Sequence, residues 1–331
     1  MNLNKIFRSH MVFARNCPIR VFGEGKGIVS VRFAGNFKTI SSDKDEWMLE
    51  LPSMEYGGPY EMEVILNGEQ IVLNDIYVGE VYLLAGQSNL QFKLNESNTP
   101  KEMYESNNKL RLYTTDRIEK NEYYTSDDGW LVADINNIDH WSALGYLVGN
   151  AVSKEKDIPV GLIACYQGAS IIESWVPKDT FKKIGIDIPL ENRGWGHSCE
   201  EYSEWNGDGV LYDYAFSQVK PYPVSAVIWY QGESDSTVEE GKVYVDELAE
   251  LIRIWRRDLL NDKLPFIVIQ IANFIRGGEG WPYIQQAQID IQSKAPFVKT
   301  IISADVCEDD DIHPPTKHKL AERITKCLLN E

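Results

Sequence analysis

The chain has 331 residues, of which 43% are hydrophobic and 25% are charged, and its net charge is −17. This is the composition of an ordinary globular protein of about two domains, which excludes disordered, collagen-like and coiled-coil chains. Because an acidic protein repels nucleic-acid phosphates and anionic lipid, we expect neither nucleic acid nor a membrane as a partner.

The cysteines and apolar runs bear on the compartment of the protein. The five cysteines are odd in number and never form a C-x-x-C pair, which disfavours disulfides and a zinc ribbon and fits a reducing compartment. No run approaches the roughly 18–20 apolar residues that span a bilayer, and the first residues lack the apolar stretch of a signal peptide. We therefore expect a cytoplasmic protein, although a secreted chain without its leader would look the same.

Residues 1–78 have the pattern of a small N-terminal β-sandwich domain. Residues 29–33 and 60–64 alternate apolar with polar side chains, as half-buried strands do. The dipeptide Asn67-Gly68 separates two apolar runs, which indicates a hairpin. No helical period occurs in this part of the sequence, so we expect about seven short strands.

Residues 79–331 have the pattern of a doubly wound α/β domain. Nearly continuous apolar runs are typical of strands covered on both faces, and they predict a mostly parallel five-stranded sheet from residues 81–85, 160–165, 224–230, 266–271 and 298–303. Helices are expected near 141–155, 283–295 and 316–329, and on an apolar stripe formed by Leu248, Leu251, Ile252, Trp255 and Leu259. Segments 91–136 and 178–215 have no clean period and are predicted to be loops over the functional face.

The residues that could carry chemistry follow the predicted strands, at the sheet edge where open parallel sheets bind ligands. Ser88 follows the first strand, Gly168 the second and Gln231 the third, and Asp310 and His313 follow the fifth. Nucleophilic acyl transfer requires a hydroxyl, an imidazole, a carboxylate and donors for the oxyanion. The joint occurrence of these groups at successive strand ends favours such a site.

Each of these groups also has a structural interpretation. Ser88 could cap a helix, and it does not belong to the G-x-S-x-G elbow of α/β-hydrolases because Leu90 replaces the second glycine. Gly168 could be a plain turn residue, and the run Asp309–Asp311 could be a solvated loop or a cation site. Because H-E-x-x-H and paired Cys/His spacings do not occur, we expect no metal.

Four segments, GEVYLLAGQSN, GASIIESW, AVIWYQGESD and DIHPPTK, resemble in this order the consecutive blocks of the sialate O-acetylesterase-like branch of the SGNH/GDSL hydrolases. The opening HMVFARNCPIRVFGEG is similar to the N-terminal β-domain of that branch, so the resemblance covers nearly the whole chain. It implies a three-layer, flavodoxin-like SGNH-hydrolase catalytic domain over residues 79–331, after the β-sandwich domain over residues 1–78. It also implies an enzyme that requires no cofactor.

The resemblance implies a role for each matching residue. Ser88 would be the nucleophile, and His313 the general base and then the general acid. The D-x-x-H spacing of the SGNH hydrolases selects Asp310, which we predict to be the carboxylate, whereas the D-I-H-P motif of the branch keeps Asp311 as the alternative. The oxyanion would be bound by the backbone N–H groups of Ser88 and Gly168 and by the side-chain amide of Gln231, which stands in the block where the wider superfamily uses asparagine.

The sequence indicates the substrate less clearly than it indicates the reaction. The candidate substrate-binding residues are Gln87, Asn89, Glu233, Trp175 and Arg193, and Glu233 could instead brace its loop. Further loop aromatics suit sugar rings, namely Trp195, Trp205, Trp281 and Tyr283, and Arg276 could pair with the carboxylate of a sialic acid.

The expected function is that of a serine-dependent carbohydrate O-acetylesterase with a Ser-His-Asp triad. Its substrate would be an acetylated sialic acid or, in view of the net charge of −17, a neutral acetylated xylo- or manno-oligosaccharide. Two alternatives are an inactive carbohydrate-binding protein and an esterase that acts on a non-sugar ester. The oligomeric state does not follow from the sequence.

Overall fold

The structure is a computed structural model that describes residues 1–119 and 123–330. The strands in this part of the chain are β1 (Asn2–Leu3), β2 (Val12–Ala14), β3 (Ile19–Glu24), β4 (Gly27–Phe33), β5 (Asn36–Ser42), β6 (Glu46–Leu51), β7 (Gly57–Leu66), β8 (Glu69–Gly86), β9 (Asn107–Thr114), β10 (Trp130–Ala133), β11 (Val160–Tyr166), β12 (Ala226–Tyr230), β13 (Phe266–Ile269) and β14 (Val298–Ile301). The helices are α1 (Ser88–Gln91), α2 (Ala143–Lys156), α3 (Thr180–Lys183), α4 (Trp195–Ser198), α5 (Val210–Tyr214), α6 (Val238–Asp258), α7 (Trp281–Lys294) and α8 (His318–Leu329). Within the described residues, we find no helix whose length and apolarity would let it cross a membrane.

The N-terminal part of the chain forms two small groups of strands. One is the antiparallel sheet β1-β3-β6, and the other pairs β5, β4, β7 and the first half of β8 antiparallel, with β2 added parallel to β8. The alternating residues Val29, Val31 and Phe33 of β4 are all buried. The predicted hairpin is present, because Asn67 and Gly68 join β7 to β8 with φ values of 50° and 92°, as a type I′ turn requires. The sandwich arrangement of the two groups stays a prediction.

Strand β8 connects the N-terminal part to the rest of the chain. Its first half pairs with β7, and its second half lies between β11 and β12 in the large sheet. The domain boundary expected after residue 78 therefore falls within this one strand. The two parts also touch through Arg20, whose guanidinium donates a hydrogen bond of 3.0 Å to the carbonyl oxygen of Leu259.

The large sheet has the strand order β10-β9-β11-β8-β12-β13-β14. All neighbouring strands in it run parallel except β10, which is antiparallel to β9. The α/β class is thus as predicted, but the five-stranded count was too low, because β9 and β10 lie in a segment predicted to be a loop. The charged Arg111 interrupts the apolar pattern of β9, yet it is buried and forms an ion pair of 3.2 Å with Asp75. Residues 120–122 of that predicted loop lie outside the described residues.

Helices cover both faces of this sheet. On one face, Gly149 of α2 lies close to Leu110 and Leu162, and α8 packs on α2. On the other face, Trp255 of α6 contacts Trp229 with ring centroids 5.7 Å apart, and α7 packs on α6. The predicted helices near 141–155, 283–295 and 316–329 correspond to α2, α7 and α8, and every residue of the predicted apolar stripe on α6 is buried.

Candidate active site

Ser88 is placed at the carboxyl end of β8 by a tight turn. Gly86 has a φ of 131°, and a Cβ atom at this position would lie 2.1 Å from the carbonyl oxygen of Tyr230, so only glycine fits. The short helix α1 begins at Ser88, and the residue before it makes no side-chain cap. The hydroxyl of Ser88 therefore does not cap the helix as the structural interpretation expected, because it is hydrogen-bonded to His313 instead.

His313 lies beside Ser88 although 225 residues separate them in the chain. Its Nε2 atom is 2.7 Å from Ser88 Oγ, which is hydrogen-bond distance. The imidazole stacks on the ring of Phe92 with centroids 6.2 Å apart. Burial, together with the positive charge of Lys317, lowers the pKa of His313 from its usual 6.5. The neutral form, which can accept a proton from the hydroxyl, is thereby favoured at neutral pH.

The two candidate carboxylates occupy different positions relative to His313. Asp311 Oδ1 accepts a hydrogen bond of 2.9 Å from the backbone N–H of His313, and its negative charge acts to raise the pKa of the imidazole. Both aspartates are exposed, and the main-chain oxygen of Asp310 accepts a hydrogen bond from Arg276 at 3.0 Å. Among the described residues, neither carboxylate is hydrogen-bonded to the imidazole ring. The structure thus brings Ser88 and His313 together, and it places Asp311 rather than Asp310 in contact with the histidine.

Two of the three predicted oxyanion donors lie at the nucleophile: the backbone N–H of Ser88 itself and that of the neighbouring Gly168. Neither the backbone N–H of Ser88 nor that of Gly168 donates to another described residue. Gly168 is close enough that a Cβ atom on it would lie 3.8 Å from Ser88 Cβ. These N–H groups are of the type that stabilises a tetrahedral oxyanion.

Gln231 is not available as the third donor. Its amide nitrogen donates to the carbonyl oxygen of Ser170 at 2.9 Å and to the carboxylate of Asp235, and its amide oxygen accepts from the Tyr244 hydroxyl at 2.7 Å. The side chain is fully buried. Gln231 therefore braces its loop, which corrects the prediction that it binds the oxyanion.

Asn89 and Glu233, which were predicted to bind substrate, form a buried network with Lys317. The Asn89 amide donates to Glu233 Oε1 at 2.6 Å and to the carbonyl oxygen of Ile312 at 2.8 Å, and its oxygen accepts from Lys317 Nζ at 2.7 Å. Burial raises the pKa of Glu233 to about 7 and lowers that of Lys317 to about 8. Because the amide of Asn89 is used within this Asn89 network, it supports the His313 loop and does not face substrate.

Trp175 and Arg193 also have structural roles. Trp175 is fully buried, and its ring centroid lies 6.1 Å from that of Trp229, so it is a core residue. The side chain of Arg193 is only 8% exposed and donates a hydrogen bond of 2.7 Å to Glu173. The predictions that Trp175 and Arg193 bind substrate are therefore wrong, because both side chains are buried and contact other residues of the protein. Of the predicted substrate-binding residues, Gln87 is the one that lines the cleft beside Ser88.

A cleft of about 520 Å³ opens over Ser88 and His313. Two aromatic candidates from the sequence line it, Trp195 and Trp205, whereas Trp281 is buried beside Phe274. Several other lining residues were not predicted from the sequence, namely Phe92, Lys93, Glu96, Glu119, Glu201 and Tyr202. Glu201 and Tyr202 lie in segment 178–215 and the other four in segment 91–136. Both segments were predicted to be loops over the functional face, but without a period the sequence did not tell which side chains face the cleft.

A second buried cluster anchors the loop that carries these aromatic residues. A ring nitrogen of His197 and one carboxylate oxygen each of Asp235 and Glu240 lie within 4.8 Å of one another, which is the spacing of metal ligands. The guanidinium of Arg193 lies 3.3 Å from His197 Nε2, and Glu240 accepts the backbone N–H of Gly194. Although burial alone would lower it, hydrogen bonds to Asp235 and Glu240 raise the pKa of His197 to about 9. The cluster is therefore an ion-pair network built around two cationic side chains.

A helix-covered parallel sheet with a serine and a histidine hydrogen-bonded at its carboxyl edge defines a class of α/β esterase folds. A carbohydrate acetylesterase from Xanthomonas citri has this fold, with a TM-score of 0.83 and 25% identity over 98% of this chain and 73% of that chain. A protein from Arabidopsis thaliana shares the fold with a TM-score of 0.52 and 18% identity, over 76% of this chain and 98% of that one. The family model of the carbohydrate esterases described as sialic acid-specific acetylesterases matches residues 78–330, and the chain belongs to this family.

The curated relatives are animal proteins named sialate O-acetylesterase. Those of Mus musculus and Homo sapiens are 24% and 25% identical to this chain over 345 and 328 aligned residues. The alignments cover 86% of this chain in both cases, and 63% and 60% of the two relatives. The chain thus spans about three fifths of the length of these relatives. The family resemblance predicted from the sequence motifs is confirmed.

Proposed function

We propose that the protein is a serine-dependent carbohydrate O-acetylesterase. The observation that carries the proposal is the hydrogen bond of 2.7 Å between Ser88 Oγ and His313 Nε2 in an open cleft, in a chain that belongs to a carbohydrate esterase family. The direct test is the release of acetate from p-nitrophenyl acetate by the wild-type protein. Wild-type turnover no faster than the spontaneous reaction would contradict the proposal.

The proposed reaction has two steps. Neutral His313 takes the hydroxyl proton as Ser88 Oγ attacks the acetyl carbonyl, and the N–H groups of Ser88 and Gly168 bind the oxyanion. Each such donor typically stabilises the transition state by about 2.7–4 kcal/mol. His313 then gives its proton to the departing sugar oxygen, leaving an acetyl ester on Ser88. Water, activated by His313, attacks this ester and releases acetate, which restores the hydroxyl of Ser88.

We assign the carboxylate role in this proposal to Asp311. The contact between its carboxylate and the His313 backbone, and its effect on the imidazole pKa, support Asp311 over Asp310. We expect Asp311→Asn to lower kcat about tenfold or more, since it removes the charge that stabilises the imidazolium. Asp310→Asn, the neighbouring control, should change kcat by less than about threefold. The ranking is checked by steady-state kinetics with p-nitrophenyl acetate, and the reverse order would transfer the role to Asp310.

Lys317 is expected to contribute, second to the burial of His313, to the pH at which the enzyme becomes active. Its positive charge lowers the pKa of His313, so kcat/KM should rise with pH as His313 loses its proton. Lys317→Met removes that charge, and the acid limb of the kcat/KM profile should move to higher pH by up to about one unit. Lys319→Met changes an exposed lysine on the same helix and should leave the profile in place. If the midpoint of the acid limb of kcat/KM has the same pH in Lys317→Met as in the wild type, this role of Lys317 is contradicted.

We also propose that residues 1–78 are a β-sandwich domain that supports a catalytic domain over residues 79–331. The hydroxyl of Tyr222 donates to the carbonyl oxygen of Val12 at 2.7 Å, and the indole N–H of Trp130 donates to that of Ile6 at 2.8 Å. None of the described residues that line the cleft comes from residues 1–78. These contacts support a buttressing role in which the N-terminal strands hold the sheet and leave substrate to the catalytic domain.

A further inference from the structure

The charged side chains of the cleft are mostly acidic. Glu96, Glu119 and Glu201 line it, and Lys93 is the one lysine or arginine among the described lining residues. The ammonium of Lys93 lies 3.5 Å from Glu96 Oε1, so this single cation already has a carboxylate partner. The cleft therefore presents a net negative charge to an incoming ligand, in a protein whose net charge is −17.

The basic side chains of Lys317, Arg193 and Arg276 lie near the site but are not among the described residues that line the cleft. Lys317 is fully buried and donates to Asn89. The Arg193 guanidinium is paired with Glu173, and that of Arg276 donates to a backbone oxygen and lies over the ring of Phe274 at 5.3 Å. Recognition of a sugar carboxylate ordinarily uses a paired guanidinium or ammonium group, and the described part of the cleft does not offer a free one.

Aromatic rings supply the remaining recognition surface of the cleft. The rings of Trp195 and Tyr202 lie 5.7 Å apart, and those of Tyr202 and Trp205 lie 5.5 Å apart, so the three form one continuous aromatic wall. Trp195 is 40% exposed and is thus accessible to a ligand. Aromatic faces bind apolar C–H surfaces, such as those of a sugar ring, through contact area rather than charge.

We propose that this cleft takes an O-acetylated glycoside without net charge and discriminates against acetylated sialic acids. This inference rests on the proposed esterase function and selects one of its substrate classes. A sialic acid carboxylate would meet three glutamates and, among the described lining residues, only a lysine that is already paired, and like charges in a binding site reject a ligand. A neutral glycoside would keep the contact with the aromatic wall and would not meet this repulsion.

The decisive comparison uses substrates that differ in one charge. Acetate release is measured from 9-O-acetyl-N-acetylneuraminic acid, from its methyl ester and from an acetylated xylo-oligosaccharide. We expect kcat/KM for the methyl ester to exceed that for the free acid about tenfold or more at low ionic strength. This ratio should shrink when salt shortens the Debye length to about 8–10 Å. Equal or faster turnover of the free acid would overturn the inference.

Variants of the cleft charges provide the second arm of the test. Glu201→Gln should raise the ratio of kcat/KM for the free acid to kcat/KM for the methyl ester about twofold or more, since it removes one negative charge from the cleft. The exposed Glu239 of α6 does not line the cleft, so Glu239→Gln should change neither value. Turnover of p-nitrophenyl acetate reports the esterase separately. If that turnover is absent, the proposed function fails, whereas turnover with preference for the free acid overturns the substrate inference alone.

Discussion

Replacing Ser88 with alanine is expected to lower kcat for p-nitrophenyl acetate by about three orders of magnitude or more. The variant keeps the cleft and the oxyanion donors but has no hydroxyl 2.7 Å from His313 Nε2 to form the acyl-enzyme. Because the side chain loses only one oxygen atom at a half-buried position, the fold should be retained. Release of p-nitrophenol measures the first prediction, and thermal unfolding followed by circular dichroism checks the second.

A control and a partner variant make this result specific. Ser97 is half-buried like Ser88, but its hydroxyl donates to the carbonyl oxygen of Leu94 and does not line the cleft, so Ser97→Ala should keep near wild-type kcat. His313→Ala should be about as inactive as Ser88→Ala, and the double variant should lose little more, since the two residues act as a unit. A folded Ser88→Ala protein with wild-type turnover would exclude Ser88 as the nucleophile.

The elements of the fold that the sequence predicted are those whose pattern is local. Residues 160–165 and the stripe on α6 each carry a local signal. Burial of a strand on both faces leaves a continuous apolar run, and burial of one helix face leaves apolar residues three or four positions apart. Strand β9 carries no such signal. Arg111 is buried there with Asp75, from an earlier strand, as its ion-pair partner at 3.2 Å. Such a partner is fixed by the fold, and the sequence does not show it.

The same distinction holds at the site. Ser88 and His313 could be predicted because each sits in a short motif at a strand end, where a parallel sheet brings its ligand-binding residues together. Trp175 and Arg193 were assigned from residue type and Gln231 from its place in a matching family block, and in each case a partner elsewhere in the chain already uses the side chain. Tyr244, for example, follows Gln231 by 13 residues and accounts for its amide oxygen. Residue type indicates what a side chain can bind, whereas only the packing shows whether it is still free.

The Asn89 network is expected to give the largest effect on stability. Asn89→Ala removes the group that joins the Lys317 ammonium to the Glu233 carboxylate, both of which are almost fully buried. Leaving a buried polar group without its hydrogen-bond partner typically costs about 1–3 kcal/mol, and more when the group is charged, so we expect the free energy of unfolding to fall by about 3 kcal/mol. Chemical denaturation at constant m-value measures it. Asn98→Ala is the control. The exposed Asn98 amide donates a hydrogen bond to the hydroxyl of Thr316, next to Lys317, and its replacement should lower the free energy of unfolding by less than about 1 kcal/mol.

A further variant separates the charges from the packing. If uncompensated charge causes the loss, adding Glu233→Gln and Lys317→Met to Asn89→Ala should recover a large part of the free energy of unfolding, since no ionised group is then left buried without a partner. If the lost stability reflects only the cavity left by the amide, the combined variant should be less stable than Asn89→Ala. The recovered protein should still have a low kcat, because Asn89 also holds the carbonyl oxygen of Ile312 at 2.8 Å and with it the His313 loop. Stability that returns while kcat stays low at a pH well above the acid limb, where the charge of Lys317 no longer matters to His313, would support both roles of this network: compensation of buried charge and positioning of the general base.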